Sequence, residues 1–525
     1  MAFIGNSFFL QPRICGRSRV GLFPFLGFGV WGVWLGFLAC GGCGGEPRSP
    51  QDPLRVLLPR EPLEIDPRFA ADVYSLKVSR LLFASLVTID PHTLKPIPDL
   101  AERIDEVSPT HYRVTLKPDL YFSDGSALDA HDVKATFAGV VSADLGSRYA
   151  NTYRRISRIE VHSPLELSFF LEGAHATFVT DLELPILRQE DGLYPLGRDG
   201  AMPVVSGPYR LLTRERSELH FKANPRYHGS RPRFAEVVMR VVRDDNIRAL
   251  RLLTAKADVA LDAIPPLLLP LFEGEPGFEV VSAQGIGTTY LGINSTAPWL
   301  GDVRVRQALA HAVDRERIIA RKLGGRARLA NGFVPPGHWA HAADTPGYAY
   351  DTRQARALLK AAGVPQPLNL TLRCRSDRDV MSMARVVAAM LEDVGVQVTV
   401  QPSEPSTLLA DLGKGRFELT FLQIPEVIEP HVLTWFFASS HIPGPGNEGA
   451  NRWRFRSQAL DTALAVGRVE TGLEARRRAY RDVQHIMARQ LPVVPLWHED
   501  KVAVIGHRGH GFWVARHGRF DGLVR

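Results

Sequence analysis

Apolar positions recur at two spacings along the chain, and the change from one to the other marks its elements. In "HYRVTLKPDL" (111–120), Tyr112, Val114 and Leu116 alternate, which predicts a half-buried strand. The next stretch, "YFSDGSALDAHDVKATF" (121–137), turns on Ser-Asp-Gly, and then Val133, Phe137 and Val140 fall three and four apart. That is helical spacing, with Asp129 placed to cap the first free N–H groups and Asp132 in the positive first turn. "PLRVLLPREPLEIDP" (53–67) opens as an apolar strand that stops at Pro59, and 73–90 carries a helical stripe through Val78, Leu81, Leu82 and Leu86.

Two segments predict β-α-β units. Residues 236–261 read as strand, a helix through Ile247, Leu250 and Leu253, and a short strand at 258–261. Residues 368–400 alternate Leu368, Leu370, Leu372 and Cys374, continue as a helix stopped at Gly395, and return in "VQVTV". A right-handed crossover would set those two strands parallel in one sheet. Between the units lie one helix over "DVRVRQALAHAVDRERIIARKL", capped at Asp302, and another over "DTRQARALLKAAG", capped at Asp351 and stopped at Gly363. The pattern predicts an α/β chain, and 525 residues exceed what one core supports, so several lobes are expected.

Charge narrows the partners. Three of the +7 formal charges are Arg13, Arg17 and Arg19 in the amino-terminal leader, which leaves +4 on the remainder. With no basic block interleaved with aromatics, nucleic acid is not expected as a partner. The leader itself is a basic region followed by "VGLFPFLGFGVWGVWLGFLAC", uncharged until Glu46. Its ending, "GFLACGGCGG", resembles a bacterial lipobox with Cys40 as the lipidated residue, although Phe37 stands where Leu is usual, and an uncleaved anchor is the alternative reading of the same run. Beyond Cys43 only Cys374 remains, so no disulfide framework is expected.

The stretch "LLFASLVTIDPHTLKPIPDLAERIDEVSPTHYRVTLKPDLYFSDGSALDAHDVKATF" resembles the amino-terminal signature of the extracellular solute-binding proteins of peptide/nickel ABC importers. Pro98, Leu100, Ala101, Glu102, Phe122, Asp124, Gly125, Ala130, Asp132 and Val133 carry the match. "SGPYRL", "ANPRYHGSRPRF", "TTYLGINST", "DVRVRQALAHAVDRERII", "YDTRQARALLKAAG" and "ARRRAYRDVQHIMARQLPVVPLW" continue it in order, so the resemblance spans roughly residues 54–525. Most of these residues read as scaffold.

The resemblance implies a periplasmic-binding-protein type II-like α/β fold, a two-lobed clamp with an additional inserted subdomain. Residues 1–39 would be a signal peptide and 40–52 the lipidated Cys and tether. Residues 53–84, 206–285 and 495–525 would build lobe I, 85–205 the inserted subdomain and 286–494 lobe II. The implied function is capture of a small solute, an oligopeptide first, in the cleft between lobes and delivery to the membrane permease. The implied partners are the ABC permease with its ATPase subunits and the membrane through the lipid anchor. A monomer in the periplasm or cell envelope is expected, with no cofactor or metal.

In peptide binders of this family an acidic residue just before a "DP" or "EP" pair meets the peptide ammonium. Setting Glu429-Pro430 on that pair gives Glu426 this role, because a buried ammonium needs an anion. Gln423 stands where the family often has Trp, Tyr290 and Glu61 lie in segments that line the cleft in relatives, and Arg375 just past a strand end suits a ligand carboxylate. Each also has a plain reading, as core for Tyr290 and as solvated surface for the others. Rival functions are a receptor or chaperone lipoprotein on the same fold, and an exported hydrolase. The hydrolase lacks G-x-S-x-G, H-E-x-x-H and a phosphate loop, and His507, His510 and His517 have no accompanying acid cluster for a metal.

Overall fold

The strand Leu54–Leu58, "LRVLL", is apolar at nearly every position because it is buried on both faces. Leu54, Val56 and Leu58 pack with Val78, Leu81 and Leu82 of the helix Val73–Leu82, while Leu57 faces Ala249, Leu252 and Phe272. Such runs belong to central strands of a sheet covered by helices on both sides. The structure, a computed structural model, describes residues 52–525 apart from Ala71, 193–194, 197–201, Glu448 and Thr471. The leader and Cys40 lie outside the described residues.

Leu54–Leu58 pairs in parallel with Glu236–Val241 on one side and Val259–Leu261 on the other, so the expected β-α-β unit at 236–261 straddles it. The complete lobe I sheet has seven strands. They run in the order Phe278–Ala283, Lys501–Gly506, Val259–Leu261, Leu54–Leu58, Glu236–Val241, Glu218–Ala223, Tyr209–Glu215. Lobe II holds a six-stranded sheet in the order Ala327–Leu329, Val493–Glu499, Thr288–Ile293, Leu419–Ile424, Leu368–Arg375, Val396–Ser403. Within it Leu368–Arg375 and Val396–Ser403 are parallel neighbours around the helix Arg378–Glu392. A four-stranded antiparallel sheet, Ala101–Ser108, His111–Leu116, Glu166–Leu171 and Ile156–Ser163, forms the inserted subdomain with its own core of Tyr112, Phe122, Val133, Phe137 and Phe169.

The chain crosses between the two large sheets at 284–287 and at Asp500, whereas the expected return was at 495. Val493–Glu499 still pairs in the lobe II sheet, so the crossing falls at its end. The two crossings touch: a Cβ on Gly285 would come within 2.0 Å of the Glu499 carbonyl oxygen, so only glycine fits.

Asp129 caps the helix Ala130–Val141, and Asp132 completes a reciprocal capping box by accepting the Asp129 N–H at 2.9 Å. Asp132 also accepts the Gln189 N–H at 2.7 Å, tying the helix start to a distant loop. One expectation is corrected. Residues 302–323 form two helices, Val303–Ala312 and Arg315–Lys322, because Asp314 accepts the Arg317 N–H and starts a second cap.

The family-like motifs prove to be joints. Gly207 packs so closely on the end of the helix Val73–Leu82 that a Cβ would lie 2.6 Å from the Leu82 backbone carbon. Tyr209, two residues on, places its hydroxyl 2.8 Å from the Leu523 carbonyl and 2.9 Å from that of Phe234, fixing the carboxyl-terminal segment to lobe I. Asn224 Nδ2 donates to the Gly207 carbonyl at 2.9 Å.

Phe169 is fully buried between Phe137 (5.1 Å between ring centroids) and Phe178 (5.5 Å). Phe169→Ala is expected to lower stability by about 3–5 kcal/mol in urea unfolding, the cost of a large cavity. A loss below about 1 kcal/mol would show that the inserted subdomain does not depend on this core.

Candidate functional site

After the strand Leu419–Ile424 the chain leaves the lobe II sheet in a loop that carries Glu426. The loop is pinned by Glu429, which accepts from Arg476 at 2.6 Å and from Thr180 of the inserted subdomain at 3.4 Å. Arg476 in turn lies over the Trp339 ring at 4.6 Å. The acid of the "EP" pair is therefore a strut for the loop, and burial pushes its carboxyl up.

Held this way, Glu426 reaches across to lobe I. Its Oε2 lies 3.3 Å from Arg519 Nη2 and its Oε1 4.0 Å from Arg80 Nη1. Both guanidiniums also meet Glu183 of the inserted subdomain, Arg80 at 3.4 Å and Arg519 in a two-pronged pair. The result is a ring of alternating charge, Arg80–Glu183–Arg519–Glu426, drawn from four distant parts of the chain. The side chain of Arg519 is 6% exposed and that of Glu426 22%. Burial opposes ionisation of Glu426, but Arg519 and Arg80 outweigh it and hold the carboxyl at about 2.

Further charges surround the ring. Lys77, 2% exposed, sits 3.2 Å from Asp262, and Lys501 lies 3.7 Å from the same carboxylate. His517 and Asp521 face each other at 3.8 Å, and burial pushes both toward their neutral forms. Glu499, at the second crossing, accepts from Thr289 Oγ1 at 3.0 Å, Trp497 Nε1 at 2.9 Å and Gln423 Nε2 at 3.3 Å.

The remaining residues singled out in the sequence do not converge on Glu426. Gln423 is exposed and belongs to the Glu499 cluster. Tyr290 is buried in the lobe II core, 5.2 Å from Phe333 and 5.4 Å from Trp453 between ring centroids, and desolvation raises its hydroxyl pKa. Glu61 is half-buried beside the lobe I strand end. Arg375 pairs with Asp377 at 2.8 Å, and Asp377 also pairs with Arg60 of lobe I, a second bridge between lobes. Among the described residues no three His, Cys, Asp or Glu side chains gather as a metal site. The groove of about 570 Å³ along Glu279–Ser282 and His510–Val514 is on the outer edge strand of the lobe I sheet, and its lining includes none of the four ring residues.

Sequence reasoning missed Arg80, Glu183 and Arg519. Only the clustering of basic residues near the carboxyl terminus hinted at the last of them.

Two α/β lobes joined by two adjacent crossings, with opposed charges at their junction, define a hinged ligand-binding clamp. Residues 95–441, well over half of the chain, match the model of the bacterial extracellular solute-binding proteins, family 5 (middle region), and the chain belongs to that family. Among similar proteins, a glutathione-binding protein of Salmonella paratyphi A is 27% identical over 467 residues, 86% of this chain and 90% of its own. A probable di/tripeptide-binding protein of Pseudomonas aeruginosa is 25% identical over 478 residues, 84% of this chain and 89% of its own. Of solved structures, NikZ of Campylobacter jejuni with Ni(L-His) superposes with a TM-score of 0.79 at 23% identity, covering 90% of this chain and 98% of NikZ. DppA of Helicobacter pylori with the peptide STSA gives 0.79 at 22%, with the same coverage.

Glu426 binds protons less well in the folded protein than at its ordinary 4.5, so its stabilising contribution is complete above about pH 4.5 and lost as pH falls toward 2. Glu426→Gln should therefore cost about 1.5–3 kcal/mol at pH 7, the range for a hydrogen bond to a charged group. Its urea midpoint should converge with that of the parent near pH 2. A constant difference between the two proteins from pH 7 to pH 2 would contradict the ion pairing.

Proposed function

We propose that this solute-binding protein is the capture component of an ABC importer and that its solute is a small peptide. Lipid on Cys40 would hold it to the cell envelope, and the closed clamp would deliver its load to the permease and its ATPase subunits. The observation that carries the reading is Glu426, a lobe II carboxylate aimed at lobe I across the junction, in the loop where peptide-binding relatives are expected to hold the ammonium. The names of the glutathione- and di/tripeptide-binding relatives support the same class of solute.

Glu426 is already ion-paired, through contacts of 3.3 and 4.0 Å, and the shorter edge of that pairing is to a guanidinium that Glu183 also holds. A ligand ammonium can therefore take up the carboxylate's remaining acceptor sites without stripping Arg519 of its partner. Closure follows if the ligand gains more contacts in the closed form than in the open one. Arg375 is held by Asp377, so a ligand carboxylate at that end would compete with an internal one.

Thermal unfolding of the purified protein against separate pools of short peptides, metal chelates and oligosaccharides tests the proposal. At 100 times its Kd a ligand stabilises the fold by about 2.7 kcal/mol, enough to move the midpoint. A rise with peptides that disappears when their amino termini are acetylated is expected. A rise with another pool alone would overturn the peptide assignment.

A further inference from the structure

The first crossing between the lobes, residues 284–287, is gripped by a side chain distant in sequence. Arg516, in the carboxyl-terminal segment of lobe I, donates from Nε to the Gln284 carbonyl at 3.3 Å. Its Nη1 donates to the carbonyls of Gly337 at 3.3 Å and His92 at 3.5 Å, and its Nη2 to that of Pro336 at 3.0 Å. One guanidinium thus joins the crossing, lobe II and the turn between the paired strands Val87–Ile89 and Pro96–Pro98. Among the described residues its partners are carbonyl oxygens only, with no carboxylate.

The same joint touches the loop that carries Glu426. Val427 donates its N–H to the Ile286 carbonyl at 3.1 Å, and Ile286, fully buried, packs with Ile89, Leu94 and Ile428. His338, next to Gly337, accepts the Ala340 N–H on Nδ1 at 3.1 Å, so its Nε2 carries the proton and donates to the Ile428 carbonyl at 2.9 Å. The Pro336–Gly337 segment that Arg516 holds is therefore one residue from a direct bond to the Glu426 loop. A shift at the crossing reaches Glu426 through short hydrogen bonds and a small packed core.

We propose that Arg516 is the positioning residue that couples closure of the clamp to the placement of Glu426. With the lobes together, its guanidinium fixes the crossing, the 336–337 segment and the His92 turn in one arrangement. That arrangement sets the Glu426 loop against Arg519. Opening exchanges the carbonyls for water and strands no carboxylate, so the joint opens and recloses at lower cost than a buried ion pair. The inference deepens the clamp reading and rests on the place of Glu426 at the junction, whatever the solute.

Hydrogen exchange of the detergent-solubilised full chain without ligand, parent against Arg516→Gln, tests the coupling. Backbone amides at 284–287 and 424–428 should exchange about tenfold faster in the variant, the effect of losing one hydrogen bond to a charged group. The strands Leu54–Leu58 and Leu368–Arg375 should keep the parent's protection, which a general loss of stability would not allow. Arg516→Lys, which retains the charge and three donors, should fall between parent and Arg516→Gln. Unchanged exchange at 424–428 in Arg516→Gln would overturn the inference. So would faster exchange there that appears, in both variants, only together with equal loss in the two lobe strands. Because no ligand is added, failure of the peptide assignment leaves this result untouched.

Discussion

A buried guanidinium must be paired, and Arg519 is paired by carboxylates from two distant parts of the chain. Glu183 of the inserted subdomain supplies one carboxylate and Glu426 of lobe II the other, with Arg80 sharing both. Without Glu426 the lobe I side would carry two guanidiniums against one carboxylate, so the lobes are bound by a charge requirement as well as by the chain. Much of the scaffold serves this meeting. Gly207 lets the chain pass against the end of the helix that bears Arg80, and Tyr209 anchors the terminal segment that bears Arg519. The Glu429–Arg476 pair stiffens the loop that bears Glu426.

The same requirement links structure to binding. Two crossings in contact, at Gly285 and Glu499, join sheets whose own cores are extensive and separate. Stiff lobes on a narrow connection favour motion as rigid bodies, with few residues absorbing the change. The Arg60–Asp377 and Glu426–Arg519 bridges are charged contacts between those lobes.

Local features were legible in the sequence because their causes are local. Asp129 and Asp351 cap their helices as their positions implied, and the alternation of Tyr112, Val114 and Leu116 is the buried face of a strand. The break between Ala312 and Arg315 was overlooked because apolar spacing continues through it, while Asp314 restarts the helix. Tyr290 lies on a strand buried at all six positions, where alternation no longer says which face meets the cleft. Glu426 could be picked out by its motif. Its partners at 80, 183 and 519 could not, since only the folded topology brings them together.

Hydrogen–deuterium exchange of the full chain, with and without a saturating peptide ligand, tests most directly whether the junction ring is the binding centre. Protection is predicted in the backbone around Arg80, Glu183, Glu426 and Arg519, with little change along the outer strand Phe278–Ala283. Protection confined to that outer strand and the neighbouring 507–514 segment, with the ring residues unchanged, would contradict the account.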